Sequence, residues 1–212
     1  LNQYQLRHSL FPIGHFTKEQ VKQKARDLGL DKIADRQSSR GICFVGKVDM
    51  HEFLSKYNKK QHGHVINIKT DEVIGSHEGV QFFTIGQRHG FEVTKKGPND
   101  GAYYIVSKDP EANNLFVTND PEDPELFKKE IAISDLHWID GKLKQLPLSC
   151  QARIRYRQEL QNCELIGNLP ELSGSDKQVF QVVFEKPQKA VAAGQVIVFY
   201  DNEKVLGKAI IE

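Results

Sequence analysis

Three stretches of this chain hold residue types that can do chemistry. The first runs Arg36-Gln37-Ser38-Ser39-Arg40-Gly41-Ile42-Cys43-Phe44-Val45-Gly46. A cysteine inside an apolar run ordinarily packs as a small hydrophobe. Here Gly41 and Gly46 bracket the run, so the backbone can turn sharply or approach a ligand closely. Arg36 and Arg40 stand just upstream, where a cation stabilises a thiolate or persulfide. Cys43 is therefore either a core residue or a reactive sulfur, and the segment alone leaves both open. In the second stretch, Leu148, Cys150, Ala152, Ile154 and Tyr156 alternate with Ser149, Gln151, Arg153, Arg155 and Arg157. Strict alternation predicts a strand with all three arginines on one face. That face is either a solvated edge or a phosphate-binding stripe, because same-face residues recur every ~6.6–7 Å, near the phosphate spacing of an extended strand. Ideal pleating turns Tyr156 toward the core, and stacking on a base requires it to escape. The third stretch is Thr84-Ile85-Gly86-Gln87-Arg88-His89-Gly90, polar residues between glycines, which read as a turn or as a ligand loop carrying Gln87 and Arg88.

Composition excludes several classes. The 212 residues carry a net charge of +1 with 39% apolar and 27% charged residues, so any nucleic-acid surface must be a local patch. No apolar run approaches the ~20 residues of a membrane span, so no membrane association is expected. Cys43, Cys150 and Cys163 are too few and scattered for a disulfide framework, and no C-x-x-C pair predicts a zinc site. These features point to a reducing cytoplasm. Cys150, on the apolar side of its strand, and Cys163, opening another, are expected to be structural. His62-x-His64 suits a surface loop, so no metal site is expected, and no Gly-rich, Lys-Ser phosphate loop occurs. The chain starts at Leu1 without an initiator Met, as a piece of a longer protein does.

The elements that must position these residues are legible in outline. Thr17 and Gln20 have capping-box spacing, Val21, Ala25 and Leu28 share a helix face, and Gly29 suits the stop. Asp49 and Glu52 form a second box ahead of a stripe of Met50, Phe53, Leu54 and Tyr57. His64 to Ile68 and Glu72 to Gly75 read as a hairpin, and Ala102 to Ser107 and Asn114 to Thr118 as two further strands. Lys95 to Gly101 is a polar loop, expected to be mobile, and Asn119 to Glu125 is the best linker candidate. Strands are also expected at Cys163–Gly167, Val179–Glu185, Gln195–Tyr200 and Val205–Ile211. The fold class that follows is mainly β with a short α-helical N-terminal part, a small central β domain and a C-terminal β-barrel.

Taken together, these stretches resemble the tRNA 2-thiouridylase family. Leu10-Phe11-Pro12-Ile13-Gly14 is similar to its LFP-x-G segment, and Ser39 to Gly46 to its S-x-G-I-C-F-I-G motif. Phe83 to Gly90 resembles T-x-G-Q-R-x-G, and Tyr103 to Asp109 resembles W-Y-V-V-x-K-D. His137-Trp138, Arg155-Tyr156-Arg157-Gln158, Ala193-Gly194-Gln195, Phe199-Tyr200 and Leu206-Gly207 match further blocks, in order. The resemblance implies an upstream domain that binds ATP, with Mg2+, and adenylates the wobble uridine. It implies that Cys43 carries a persulfide whose outer sulfur reaches the activated carbon, with a second, upstream cysteine resolving it through a disulfide. It implies tRNA contacts, in the anticodon region, by Arg155, Tyr156 and Gln195; beside these, the residues themselves offer Arg40, Gln87, Arg88, Arg153 and Arg157 as supporting candidates. It implies a sulfur donor such as a cysteine desulfurase or sulfur-relay protein. Residues 1–48 become the tail of the catalytic domain, 49–121 a central domain, and 122–212 a tRNA-binding barrel.

The chain departs from the family pattern at four places. The ATP loop and first cysteine are absent, so this piece alone is expected to be inactive. Ser38 replaces the usual acid, Tyr103 the usual tryptophan, and Lys208 a glycine. The region around Cys43, with Gln37 to Gly41 just upstream of it, is expected to be mobile without its neighbours. Two other readings stand beside the enzyme: a non-catalytic RNA-binding β module and a sulfur-carrier protein.

Overall fold

The computed structural model describes residues 1–36, 50–97, 100–142, 144–167 and 178–212, the side chains of 50–52 excepted. Arg40, Cys43, Ser38 and the mobility expected of Gln37 to Gly41 lie outside the described residues. The chain divides into two units, Leu1–Phe53 and Leu54–Glu212.

In the first unit, local hydrogen bonds rather than burial make the helices. These are α1 (Gln3–Arg7), α2 (Lys18–Asp27) and α3 (Asp31–Ala34), with α4 (Met50–Ser55) at the division. The expected capping box is present: Thr17 N–H donates to Gln20 Oε1 at 2.8 Å, and Gln20 N–H donates to Thr17 Oγ1 at 3.3 Å. Gly29, at φ +72, closes α2 with Leu30 N–H on Ala25 O and Gly29 N–H on Arg26 O, both 2.8 Å. That pair of bonds is a Schellman stop. Among residues 1–36 only Ala34 is buried, while Leu10, Phe11, Ile13, Leu28 and Ile33 are exposed. The expected apolar stripe of α2 therefore covers nothing at Leu28. Likewise α4 ends at Ser55, and Tyr57 lies exposed in the turn beyond it.

The second unit opens with a five-stranded sheet: β1 (Gly63–Asn67), β2 (Val73–His77), β3 (Glu92–Val93), β4 (Tyr104–Asp109) and β5 (Asn114–Thr118). Its order is β3-β2-β1-β5-β4, antiparallel except for the β1–β5 pair. The predicted hairpin and strand pair are both there. Val65, Ile74, Phe83, Tyr103, Ile105, Leu115 and Val117 form its core. Tyr103, where the family pattern has tryptophan, keeps the core position and uses its hydroxyl to donate to Asp100 Oδ2 at 2.8 Å. The linker candidate is a pinned turn: buried Asp123 accepts from the Thr118 hydroxyl at 2.8 Å and the Glu125 N–H at 3.1 Å.

Beyond it six strands close a barrel in the order β10-β11-β6-β9-β8-β7. They are β6 (Phe127–Trp138), β7 (Leu148–Arg153), β8 (Gln161–Ile166), β9 (Phe180–Lys189), β10 (Val196–Asp201) and β11 (Lys204–Ile211). Sequence pattern missed β6, because Lys128, Lys129 and Glu130 break alternation at its start and Asp135, at φ +50, interrupts it near its end. The core holds Ile131, Ile133, Trp138, Ile154, Leu165, Phe184, Ile197, Phe199 and Ile211. Gly207 lies under Trp138: an added Cβ would fall 2.3 Å from His137 O and 2.8 Å from the indole. The neighbouring Lys208 points to solvent, so a side chain is tolerated where the family pattern has glycine. No described helix is long and apolar enough to cross a membrane.

One buried titratable group makes the central sheet acid-sensitive. His77 is buried, and its Nδ1 accepts the Gly79 N–H at 2.9 Å. Burial lowers its pKa from the ordinary 6.5. The unfolded chain then binds the proton more readily, so the stability due to neutral His77 is complete above about pH 6.5 and lost as pH falls below it. We expect the urea midpoint to drop between about pH 7 and about pH 5, and His77→Gln to flatten that slope. An unchanged slope in the variant would remove His77 as the cause.

Candidate nucleic-acid interface

The arginine-rich stretch is not one strand. β7 stops at Arg153, and Arg155 to Gln158 form a turn closed by Gln158 N–H on Arg155 O at 3.3 Å. Arg157, in the third position, has φ +66, the left-handed backbone that a type II turn demands there. Gln158 locks the turn from beneath. Its Oε1 accepts the Ile154 N–H at 3.0 Å, and its Nε2 donates to the buried Gln188 Oε1 at 2.7 Å.

This overturns the expectation that Arg153, Arg155 and Arg157 share a face. Arg153 stays on the strand with its guanidinium 5.3 Å from the Tyr200 ring centre. The Arg155 Nη2 donates to Ala190 O at 2.7 Å, and the Arg157 guanidinium lies 5.3 Å from the Tyr156 ring centre. Alternation held only as far as the ladder did, and β7 loses its partner where the chain must turn into β8. The same turn frees Tyr156 from the core side that pleating assigned to it: it is 89% exposed. An exposed aromatic beside an arginine is a stacking platform for an unpaired base.

Gln195 lies at the same end of the barrel. β10 and β7 are antiparallel with Val198 opposite Arg153, so Gln195 and Tyr156, each three residues further out, leave the ladder together. The Gln195 carbonyl accepts the Ile211 N–H at 2.8 Å. Its Oε1 is buried without a hydrogen-bond partner among the described residues. Such an unsatisfied acceptor is uncommon in a native fold.

The Gly-Gln-Arg loop is held against the edge strand β4. Gly86 N–H donates to Ile105 O at 2.7 Å, and Ile105 N–H donates to Gln87 O at 3.0 Å. The Gln87 side chain is spent on its own loop, accepting from Thr84 N–H at 3.1 Å and donating to His89 O at 2.8 Å. Gln87 is thus a positioning residue here, and Arg88 and His89 are the exposed groups. Lys108 of β4 ties down the preceding segment by donating to Phe83 O at 2.8 Å. Burial lowers its pKa.

Ala190 brings this loop to the barrel. A Cβ on Gly86 would lie 2.3 Å from the Ala190 Cβ and 3.8 Å from Arg155 Nη2. Between the loop and the barrel opens a cleft of 360 Å³ lined by Gln87, Arg88, His89, Tyr104, Arg155 and Lys189, among others. Lys189 and His89 were missed by sequence reading, since a lysine ending a strand carries no spacing signal. Lys189 is partly neutralised, 3.2 Å from Glu122 Oε1, and Arg88 and Arg155 supply the remaining positive charge. A cleft with cations, amide groups and a ring suits a polyanion with bases attached.

The structure thus gathers Gln87, Arg88 and Arg155 around one cleft and sets Tyr156, Arg157 and Gln195 at the barrel end that borders it. Arg153 stands apart on the strand. Cys150 is half-buried and Cys163 buried; both are free thiols. No described part of residues 1–36 fits ATP: only Ala34 is buried there, and the chain has no phosphate loop.

Comparison with known proteins bears on the whole chain. Residues 1–47 match the family described as tRNA methyl transferase HUP domain, and residues 51–119 the tRNA methyl transferase PRC-barrel domain. Residues 128–211 match the Aminomethyltransferase beta-barrel domain. The tRNA-specific 2-thiouridylase MnmA of Alkaliphilus oremlandii is 37% identical over 212 residues, covering all of this chain and 56% of that protein. The protein of the same name from Haemophilus influenzae is 38% identical over 212 residues, all of this chain and 53% of its own. That from Coxiella burnetii is 37% identical over 214 residues, all of this chain and 56% of its own. The chain spans about half the length of these curated relatives, with the HUP domain represented by residues 1–47 only. With these matches running in order from residue 1 to residue 211, the chain belongs to the tRNA-specific 2-thiouridylase family.

Proposed function

We propose that this chain is the sulfur-delivering and tRNA-holding part of an enzyme that thiolates the wobble uridine of tRNA at its 2-position. The observation that carries the reading is the convergence on Ala190 of the Arg155 turn and the Gly-Gln-Arg loop, two motifs 69 residues apart in sequence, counted from Gly86 to Arg155. In this reading residues 1–48 are the tail of the catalytic domain, 49–121 a central domain and 122–212 the tRNA-binding barrel. The exposed Leu10, Phe11, Ile13 and Leu28 support the first assignment, since large apolar side chains without cover belong to a larger domain.

Cys43 carries the persulfide. Its outer sulfur is the nucleophile at the uridine carbon, and Arg40 stabilises the sulfur anion. A cysteine desulfurase or sulfur-relay protein loads it. ATP, with Mg2+, would supply the adenylate leaving group on the uridine oxygen, and the residues that would hold it belong to the catalytic domain of which residues 1–48 are the tail. Arg155 and Arg88 hold RNA phosphates, and Arg153 and Arg157 add to the field. Tyr156 stacks on an unpaired base of the anticodon region, and Gln195 donates or accepts one hydrogen bond. Gln87 keeps the Arg88 loop in shape.

In an intact enzyme, Cys43→Ser should abolish 2-thiouridine formation while ATP consumption on tRNA persists. Thiolation by that variant would sink the assignment. Arg155→Ala should weaken every substrate tRNA by about tenfold, the worth of one charge-assisted hydrogen bond. It should also reduce the salt slope of binding by roughly 0.7–0.9, one phosphate contact. Equal affinity and slope would reduce the turn to a solvated corner. Gly86→Ala changes no charge, yet should destabilise the protein by about 1–3 kcal/mol, by forcing a side chain against Ala190 at a left-handed position. Its tRNA affinity should fall as well, and filter binding beside a urea melt separates the two effects.

A further inference from the structure

Cys150 and Cys163 are direct cross-strand partners on antiparallel β7 and β8. Residues so opposed hold their Cα atoms about 4.5–5.5 Å apart, within the ~4.4–6.8 Å that a disulfide spans. Their Sγ atoms lie 3.8 Å apart and both thiols are free. Closing that gap to a bond of about 2.05 Å takes side-chain rotation, with the strands already in place. The two side chains face the barrel interior, Cys163 within the core and Cys150 packed against its edge. Between them in sequence lies the Arg155–Gln158 turn, the tip of the β7–β8 hairpin.

We propose that Cys150 and Cys163 are a reversible dithiol–disulfide couple that, when closed, staples the hairpin presenting the Arg155–Gln158 turn. The oxidant is a hydroperoxide. Cys150 is the attacking sulfur, being the more exposed of the two. The hydrogen bond it shares with Cys163 favours its thiolate and raises the pKa of Cys163. The Cys150 thiolate attacks one peroxide oxygen, the O–O bond breaks, and the leaving oxygen takes a proton from water. The product is a sulfenic acid. The Cys163 sulfur then attacks the Cys150 sulfur and displaces hydroxide, which leaves as water with the Cys163 proton. The two thiols lose two electrons, and the peroxide gains them. A dithiol reductant reverses the reaction by exchange. Any effect on RNA rests on the reading of the turn as a tRNA contact; the cross-link itself does not.

The test uses the chain with Cys43→Ser, which leaves two of its three cysteines. Folded protein is exposed to hydrogen peroxide, thiols are counted, and peptides are mapped by mass. Free thiols should fall from two to none, with the Cys150 and Cys163 peptides joined and lighter by two hydrogens. Dithiothreitol should restore both thiols, and the oxidised form should have the higher urea midpoint, because the staple restricts the unfolded chain. Adding Cys150→Ser, at the half-buried member of the pair, should abolish the link. Thiols that stay free, oxidation to sulfinate without a link, or a link only between two chains would overturn the couple. Filter binding of an anticodon stem-loop RNA to both redox forms separates the two readings. RNA binding indifferent to the turn, with the link formed, overturns the tRNA contact and supports the couple.

Discussion

Ala190 is where the second unit is tied together. Its N–H donates to Leu126 O at 2.6 Å, its carbonyl accepts Arg155 Nη2 at 2.7 Å, and its methyl faces the bare Cα of Gly86. It does this with φ at +54, a left-handed backbone that an alanine adopts only when its surroundings hold it there. Three contacts on one small residue set the entry to the barrel, the aim of Arg155 and the seat of the Gly86 loop. A larger side chain at either Gly86 or Ala190 would part the loop from the barrel and open the cleft between them.

A chain with near-zero net charge can still meet a polyanion, because charge density is a local property. The cations at the cleft come from different depths of the sequence: Arg88 from a loop on the central sheet, Arg155 from the β7–β8 turn, Lys189 from the end of β9. Arg155 is fixed by the Ala190 carbonyl rather than by a carboxylate, whereas Lys189 pairs with Glu122. An arginine that spends one N–H on a carbonyl keeps its full charge for a phosphate.

The two units differ in what holds them. The barrel and central sheet each bury a continuous apolar core, the barrel closes its ladder, and side chains such as Asp123 and Gln158 pin the turns. Residues 1–36 form helices from capping boxes and a Schellman stop, with almost nothing buried. Local bonds of this kind define where a helix starts and ends, but a short helix draws most of its stability from packing.

Much of this protein is a matter of local chemistry and was readable residue by residue. The Thr17–Gln20 cap, the Gly29 stop, the hairpin around Lys69 to Asp71 and the strand character of the last eighty or so residues depend on near neighbours, which sequence shows directly. Motif order likewise brought out the family and marked Cys43, Arg155, Tyr156 and Gln195. What sequence could not show is where a ladder ends. Alternation carried Arg155 and Arg157 along a strand past Arg153, whereas the fold ends β7 there and spends Gln158 on closing a turn. The strand β6, the Gln188 partner of Gln158 and the meeting of Gly86 with Ala190 were equally invisible. The Cys150–Cys163 register belongs with them. Each is a contact between segments remote in sequence, decided by which strands pair and in what register, and no single segment carries that information.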